Sequence, residues 1–507
     1  MKKIIRPLTL LRKISQCVFL GLLAYVLWAT AYPLKLPVAT EAVFWFDPFI
    51  VFLVSVCERM ILPGFLWALL MVGLTFIFGR FFCGWICPFG SIQDMIRWVL
   101  PCRQRSLSDV QNVHLRRYKF YILGLLAILS AFTFQAVWIF DPIVIAVRFI
   151  SLNLIPAVTW SCDSLFIFII KTFRLYHSPF YDFYRAAKTS VLGVRTTYYP
   201  NSGVIFGFFL GIVGVSFFLS RAWCRILCPL GALYAMNSAP ALLERNNEGC
   251  VKCGICSRHC RVGAIRGDFS YVKSECILCM DCVYDCQKGR TKFLWRAKKK
   301  SDGAPPVHGS LLRRSDFLKV LLLPFLTFML SGFGFKRTVR ASKRSVIRPP
   351  GALKEEEFID RCVRCGNCMK VCPTNGLQPV FWESGVEGLW TPQLVPEIGC
   401  CEYNCTLCGQ VCPTQAITKL PLSVKKTVKL GLAEVDRKIC VAWAQNKECL
   451  VCEEHCPIST KAIKIDETTI VGKRIGRPVV DAVTCIGCGL CQHVCPVSPV
   501  RAIRVMK

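Results

Sequence analysis

The stretch Cys250-Val-Lys-Cys253-Gly-Ile-Cys256-Ser-Arg-His-Cys260 is followed closely by Cys276-Ile-Leu-Cys279-Met-Asp-Cys282-Val-Tyr-Asp-Cys286. Both read C-x2-C-x2-C-x3-C, the run in which three thiolates hold three corners of one iron–sulfur cube and the fourth serves a neighbouring cube. The spacing therefore assigns Cys250, Cys253 and Cys256 with Cys286 to one cluster, and Cys276, Cys279 and Cys282 with Cys260 to another. Arg261 and Gln287 stand where a proline commonly follows the last cysteine. Proline supplies no ligand, so the departure leaves cluster binding intact.

Four further cassettes fill the C-terminal third: Cys362, Cys365, Cys368, Cys372; Cys401, Cys405, Cys408, Cys412; Cys440, Cys449, Cys452, Cys456; and Cys485, Cys488, Cys491, Cys495. Each closes in Cys-Pro, at Pro373, Pro413, Pro457 and Pro496. Disulfide scaffolds are typically short secreted chains, and zinc ribbons use paired C-x2-C knuckles without a third cysteine and a Cys-Pro. The expectation is six [4Fe-4S] clusters and an electron carrier.

The formal net charge of +31 counts every thiol as neutral. Six cubes at about −2 each, ligands included, bring the loaded chain near +19, still basic. Such a balance suits nucleic acid, a membrane surface or an acidic protein. The other half of the sequence selects the membrane and excludes nucleic acid. Hydrophobic residues make up 53% of the chain, and runs near 14–32, 61–79, 118–139 and 203–220, with a fifth at 317–335, approach the roughly 20 residues a bilayer span needs. The apolar stretch 49–56 is too short and reads as interfacial or packed. Lys319 lies near one end of the fifth span and can snorkel.

Lys2, Lys3, Arg6, Arg12 and Lys13 precede the first span, and Arg97, Arg103, Arg105, Arg116 and Arg117 fill the loop between the second and third. The positive-inside rule puts both loops and the cassettes after residue 221 on the cytoplasmic side. The fifth span would carry the last four cassettes across. Basic residues flank it on both sides, and Arg313-Arg314-Ser315-Asp316-Phe317-Leu318-Lys319 reads as a degenerate twin-arginine signal or as a plain basic flank.

The membrane half is duplicated. Phe46-Asp47-Pro48 and Phe140-Asp141-Pro142 follow the first and third spans; Cys83-Gly-Trp-Ile-Cys87-Pro88 and Cys224-Arg-Ile-Leu-Cys228-Pro229 close the second and fourth. On a helix Cys83 and Cys87 share a face at i and i+4, as do Cys224 and Cys228. Four converging thiols could hold a metal, carry a disulfide couple or border a quinone, whereas the plainer reading is small buried packing residues.

With these motifs in view, the N-terminal half resembles NapH-type membrane quinol dehydrogenase subunits and, more loosely, the membrane core of NosR. The C-terminal third resembles NapG/MauM-type polyferredoxins through Cys362-Val-Arg-Cys365-Gly-Asn-Cys368, Asn375-Gly-Leu-Gln-Pro, Gly388-Leu-Trp-Thr-Pro392, Cys401-Glu-Tyr-Asn-Cys405-Thr-Leu-Cys408 and Cys485-Ile-Gly-Cys488-Gly-Leu-Cys491. The resemblance implies oxidation of quinol from the membrane pool and transfer of electrons to a periplasmic redox protein, from a multi-pass protein of the bacterial inner membrane. It places the first ferredoxin domain in the cytoplasm and the C-terminal domain in the periplasm. It also implies a cluster pairing of outer with outer and inner with inner cassettes: Cys362, Cys365, Cys368 with Cys495; Cys485, Cys488, Cys491 with Cys372; Cys401, Cys405, Cys408 with Cys456; and Cys440, Cys449, Cys452 with Cys412. Cys400 then reads as a bystander, and Cys17, Cys57, Cys102 and Cys162 as packing residues.

No G-x-G-x-x-G run follows a strand and no C-x-x-C-H is present, so neither a flavin or NAD site nor attached haem is expected. All six histidines, His114, His177, His259, His308, His455 and His493, lie outside the spans, which excludes membrane haem. A CcoG-like assembly reductase and a non-catalytic electron wire are the competing readings. The fold class is a multi-pass α-helical membrane domain plus two α+β ferredoxin-like iron–sulfur domains. It divides into a four-helix membrane domain at 1–240, a two-cluster ferredoxin at 241–290, a basic linker at 291–316, the fifth helix at 317–335 and a four-cluster domain at 350–507.

Overall fold

The computed structural model describes residues 2–34, 41–99, 109–176, 178–193, 197–247, 250–267, 269–295, 346–470 and 473–507. The fifth span, most of the linker, the twin-arginine-like run and Cys102 lie outside the described residues. The chain forms two compact units. One gathers Met1–Val26, Glu41–Ala146 and Phe206–Thr338; the other gathers Leu27–Thr40, Val147–Ile205 and Val339–Lys507.

In the first unit each copy of the duplicated sequence starts a helix in the same way. Asp47 accepts hydrogen bonds from the Phe49 and Ile50 amides at 3.0 and 3.4 Å and caps Pro48–Glu58, with Pro48 at its first position. Asp141 accepts from the Ile143 and Val144 amides, both at 2.8 Å, and caps the helix that begins at Pro142. An acidic cap followed by proline satisfies amides that have no intrahelical partner. The predicted interfacial stretch 49–56 is therefore a helix in its own right.

The expected spans at 61–79 and 203–220 are the helices Phe65–Phe78 and Ser202–Phe218, of 14 and 17 residues. At about 1.5 Å per residue both are shorter than a hydrocarbon core of roughly 30 Å. The predicted span 118–139 is split into Asp109–Ala131 and Val137–Phe140, with Thr133 at φ 63° between them. Two helices are long and apolar enough to cross a bilayer, Leu8–Ala29 and the 32-residue Pro142–Phe173. The second was not expected, because Pro156, Asp163 and Lys171 interrupt its apolar run. Asp163 is satisfied locally, by the Tyr184 hydroxyl at 2.8 Å and Lys188 Nζ at 2.5 Å.

The cassettes at 250–286 pack on the two cysteine turns through buried charge. Glu275, 1% exposed, takes the Arg80 guanidinium at 2.9 Å and Lys119 Nζ at 2.6 Å. Asp94 takes Arg221 at 2.7 Å and Arg261 at 3.0 Å. Trp85 Nε1 donates to the Leu278 carbonyl at 3.0 Å. Gly84 permits this approach, since a Cβ there would stand 2.1 Å from the Ile277 carbonyl oxygen.

The second unit contains the C-terminal domain, an α+β arrangement of short helices and three antiparallel ribbons: Leu377–Pro379 with Pro392–Leu394, Leu432–Val435 with Ile503–Met506, and Ile463–Ile470 with Lys473–Val480. Its apolar clusters are small. One is made of Phe358, Ile359, Ala416 and Ile417 with the thiols of Cys362 and Cys412. Residues 148–154 and 198–201 belong to the same unit and pack on this domain. Arg148 lies 4.3 Å over the Trp390 ring, Asn375 Nδ2 donates to the Tyr198 carbonyl at 2.7 Å, and Lys370 Nζ donates to the Thr30 carbonyl at 2.7 Å.

Burial raises the Glu275 carboxyl, but Lys119, Arg80 and Arg116 outweigh it and hold it below the usual value of 4.5. Its stabilising contribution is thus present above that pH and lost as pH falls through the depressed value. Replacing Glu275 by Gln strands two buried cations, and the expected loss is about 3–5 kcal/mol. Unfolding of the detergent-solubilised protein followed across pH would measure both effects, with the variant's acid dependence reduced relative to wild type.

Candidate iron–sulfur centres

Each cassette is a loop that runs into one turn of helix carrying the third cysteine, as in Ile255–Arg258, Asp281–Tyr284, Asn367–Lys370 and Leu490–Val494. In these four the residues on either side of the second cysteine are left-handed: Lys252 and Gly254, Leu278 and Met280, Arg364 and Gly366, Gly487 and Gly489. Left-handed residues turn successive backbone N–H groups toward one side, and such concavities favour anionic sulfur. The Lys252 and Leu278 amides point at Cys250 and Cys276 Sγ at 3.4 Å, and the Ala264 amide at Cys260 Sγ at 3.1 Å. The cassettes with longer gaps, 401–412 and 440–456, enter their helices from Thr406 and Leu450, whose φ values are −130° and −110°.

The pockets between cassettes identify the ligand sets. Cys362, Cys365, Cys368 and Cys412 line one of about 350 Å³; Cys401, Cys405, Cys408 and Cys372 line one of about 390 Å³; and Cys440, Cys449, Cys452 and Cys495 line one of about 370 Å³. Cys485 and Cys456 are charge neighbours of Cys488, which completes the fourth set with Cys491. The outer-with-outer pairing implied by the resemblance is thereby corrected. Neighbouring cassettes exchange their last cysteines: 372 with 412, and 456 with 495. The reason is local. The Ala352–Ile417 bridge and the Leu353 amide on the Ala416 carbonyl at 3.2 Å close the first pair of cassettes on itself, and the ribbon of Leu432–Val435 with Ile503–Met506 closes the second. In the first unit Cys260, Cys276, Cys279 and Cys282 line a pocket of about 350 Å³, and the Cys250 and Cys253 thiols neighbour Cys256.

The donor sets fit iron–sulfur clusters. None of the described cysteines is in a disulfide. Burial pushes Cys362 to about 11 and Cys365 and Cys452 to about 12, so without metal these thiols stay protonated. Bound iron reverses that preference. Tyr199, 3% exposed, leaves its hydroxyl without a partner among the described residues beside Cys368 and Cys372, and the Asn367 amide at the first set is likewise unsatisfied. Buried polar groups of this kind are what a cluster's sulfur would satisfy.

Cys83, Cys87, Cys224 and Cys228 are all buried in the first unit and influence one another's charge. Arg80 and Arg221 flank them, and Arg221 Nη1 donates to the Cys83 carbonyl at 2.8 Å. The Gly231 amide lies 3.2 Å from Cys228 Sγ. The turn is in contact with the cassette that carries Cys276 and Cys279, through Gly84 and Trp85. One further constellation was present in the sequence as a repeat but carried no assigned role: the Asp47 and Asp141 side chains, both fully buried, hydrogen-bond to each other. Two carboxyl groups do so only by sharing a proton. Cys400 is buried, with its carbonyl accepting from the Thr374 hydroxyl, while Cys17 is exposed and Cys57 buried.

A family described as "4Fe-4S binding domain" matches residues 60–106 and 202–240, a "4Fe-4S dicluster domain" family matches 445–498, and a second "4Fe-4S binding domain" family matches 359–378. The first covers both cysteine turns. Among curated relatives, the methylamine utilization ferredoxin-type protein MauM of Paracoccus denitrificans is 35% identical over 182 residues, 35% of this chain and 80% of that protein. The ferredoxin-type protein NapG of Escherichia coli is 36% identical over 176 residues, 34% of this chain and 74% of that protein. An uncharacterized protein of Methanocaldococcus jannaschii is 27% identical over 271 residues, half of this chain and 93% of its own length. No solved structure matches.

The exchange of last cysteines makes a specific prediction. Cys365→Ala and Cys412→Ala should each lose about four irons per chain, and the double variant no more than either alone. Iron analysis with cluster spectroscopy checks this; additive loss in the double variant would restore the outer-with-outer pairing.

Proposed function

Because the chain belongs to the family of ferredoxin-type iron–sulfur proteins that includes MauM and NapG, we propose that it is a membrane-bound electron-transfer protein that oxidises quinol and passes the electrons to a periplasmic redox protein. Bound cubes supply one-electron exchange, which divides the two electrons of a quinol into single steps. The observation that carries this reading is the packing of the segments around the apolar helices on the first C-terminal cassette. Thr30 ends the helix Leu8–Ala29, residues 148–154 lie within Pro142–Phe173, and residues 198–201 precede Ser202–Phe218. All of them contact the stretch 364–390.

That packing supports the periplasmic placement of the C-terminal domain. Thr30 follows a helix whose basic N-terminus belongs on the cytoplasmic side, and the Lys370 ammonium holds the Thr30 carbonyl. The apolar hairpins at 48–78 and 155–192 carry exposed Leu66, Trp160, Phe168 and Phe183, at 80%, 62%, 66% and 61%. Large exposed apolar side chains in such density suit lipid contact, and a multi-pass arrangement in the bacterial inner membrane follows from them. The first ferredoxin region then faces the cytoplasm with the basic loops.

On the cytoplasmic side, Arg80 and Arg221 hold positive charge against the four buried thiols, so an added electron there is compensated. The names of the relatives tie one branch to methylamine utilization, and the terminal acceptor of this chain is a redox protein of that general kind. Membranes containing the protein should show quinol-dependent bleaching of iron–sulfur absorbance that a quinone-site inhibitor blocks. Absence of any reduction by quinol would sink the proposal in favour of an assembly reductase or a passive wire.

A further inference from the structure

We infer that the four C-terminal ligand sets form a linear array with a fixed direction, receiving electrons at Cys362, Cys365, Cys368 and Cys412 and delivering them from Cys440, Cys449, Cys452 and Cys495. This rests on the electron-transfer reading above and adds to it the order of the sites.

The order comes from which thiols are neighbours. The first set touches the second through the exchanged Cys372 and Cys412, and through the mutual influence of Cys368 and Cys408. The second set meets the third where the Cys401 amide donates to the Cys488 carbonyl at 2.8 Å, with their thiols also neighbours. The third meets the fourth through the exchanged Cys456 and Cys495 and the neighbouring Cys491 and Cys452. The sets fixed by the pockets thus make a row of four rather than a ring.

The receiving end comes from what leans on it. Gly366, left-handed at φ +85° between Cys365 and Cys368, faces Leu152 so closely that a Cβ would lie 3.0 Å from that side chain. Leu152 sits in a π-helical turn, Ile150–Leu154, within the long apolar helix. Lys370 reaches Thr30, Asn375 and Gln378 donate to the Tyr198 carbonyl, and Tyr199 is buried against Cys368 and Cys372. No described hydrogen bond or ring contact joins residues 147–205 to residues 430–507. The first set is therefore beside the segments of the proposed membrane domain and the fourth is at the opposite end of the row. For each quinol, two electrons enter the first set singly, two protons leave to solvent, quinone is released, and a redox protein docked at the fourth set takes both electrons in turn.

The test uses the full chain in membranes, with wild type, Cys365→Ala and Cys449→Ala compared by iron content, by reduction with dithionite and by freeze-quenched EPR after mixing with quinol. Each variant should lack about four irons and still be reduced by dithionite in its remaining clusters. Cys449→Ala should keep wild-type reduction of those clusters by quinol, whereas Cys365→Ala should lose it. The reverse pattern overturns the direction, and equal loss in both overturns the linear order. Wild type that quinol fails to reduce defeats the quinol reading instead. The docking is then judged separately, by replacing Tyr198 with the photocrosslinker benzoylphenylalanine: capture of the 375–378 peptide upholds the receiving end, and capture of peptides from 430–507 or of none refutes it.

Discussion

A cysteine thiolate does not stay ionised in an apolar pocket unless positive charge stands beside it. In the C-terminal domain the four thiols of each set are surrounded by valine, proline and isoleucine, and burial holds their protons on. Iron is the charge that removes those protons, and the left-handed residues around Cys365 and Cys488 turn amides toward the sulfurs that result. The short helices and three-residue strands have little apolar area of their own to bury. Metal binding is thus folding free energy for this domain, and the metal-free chain has no comparable core to collapse onto.

The exchange of last cysteines gives that dependence a unit size. Cys372 and Cys412 each leave their own cassette for the neighbouring set, so neither cluster of a pair can be completed until both cassettes are in place. Two such pairs, joined where Cys401 meets Cys488, make the domain. The first unit solves the related problem of buried charge differently. Glu275 and Asp94 each sit between cations, and these networks fix the first ferredoxin region on the cysteine turns without relying on apolar area.

Cysteine spacing made the cassettes legible, because a cube demands thiols at set intervals along the chain. Which cassettes share a cube was not legible: spacing is satisfied by any partner, and the short ribbons and the Ala352–Ile417 bridge that decide the matter have no strong pattern. The helix Pro142–Phe173 was missed because Asp163 and Pro156 break its hydropathy, and only the structure shows Asp163 answered by Tyr184 and Lys188. The runs 61–79 and 203–220 were legible as helices but not in length, since Gly79 and Arg221 stop or restart the chain close to the cysteine turns. The repeat Phe-Asp-Pro was visible, yet nothing in one sequence says that its two copies meet.

That meeting has a consequence for descent. Asp47 and Asp141 occupy equivalent places in the two halves, and each touches its own counterpart, as a residue on a two-fold axis touches itself in a symmetric dimer. Such a self-contact is what two separate copies of one hairpin would have made before their genes were joined. The shared proton between them is then a relic of an intersubunit contact, retained because neither half can lose its carboxyl without leaving the other's charge buried alone.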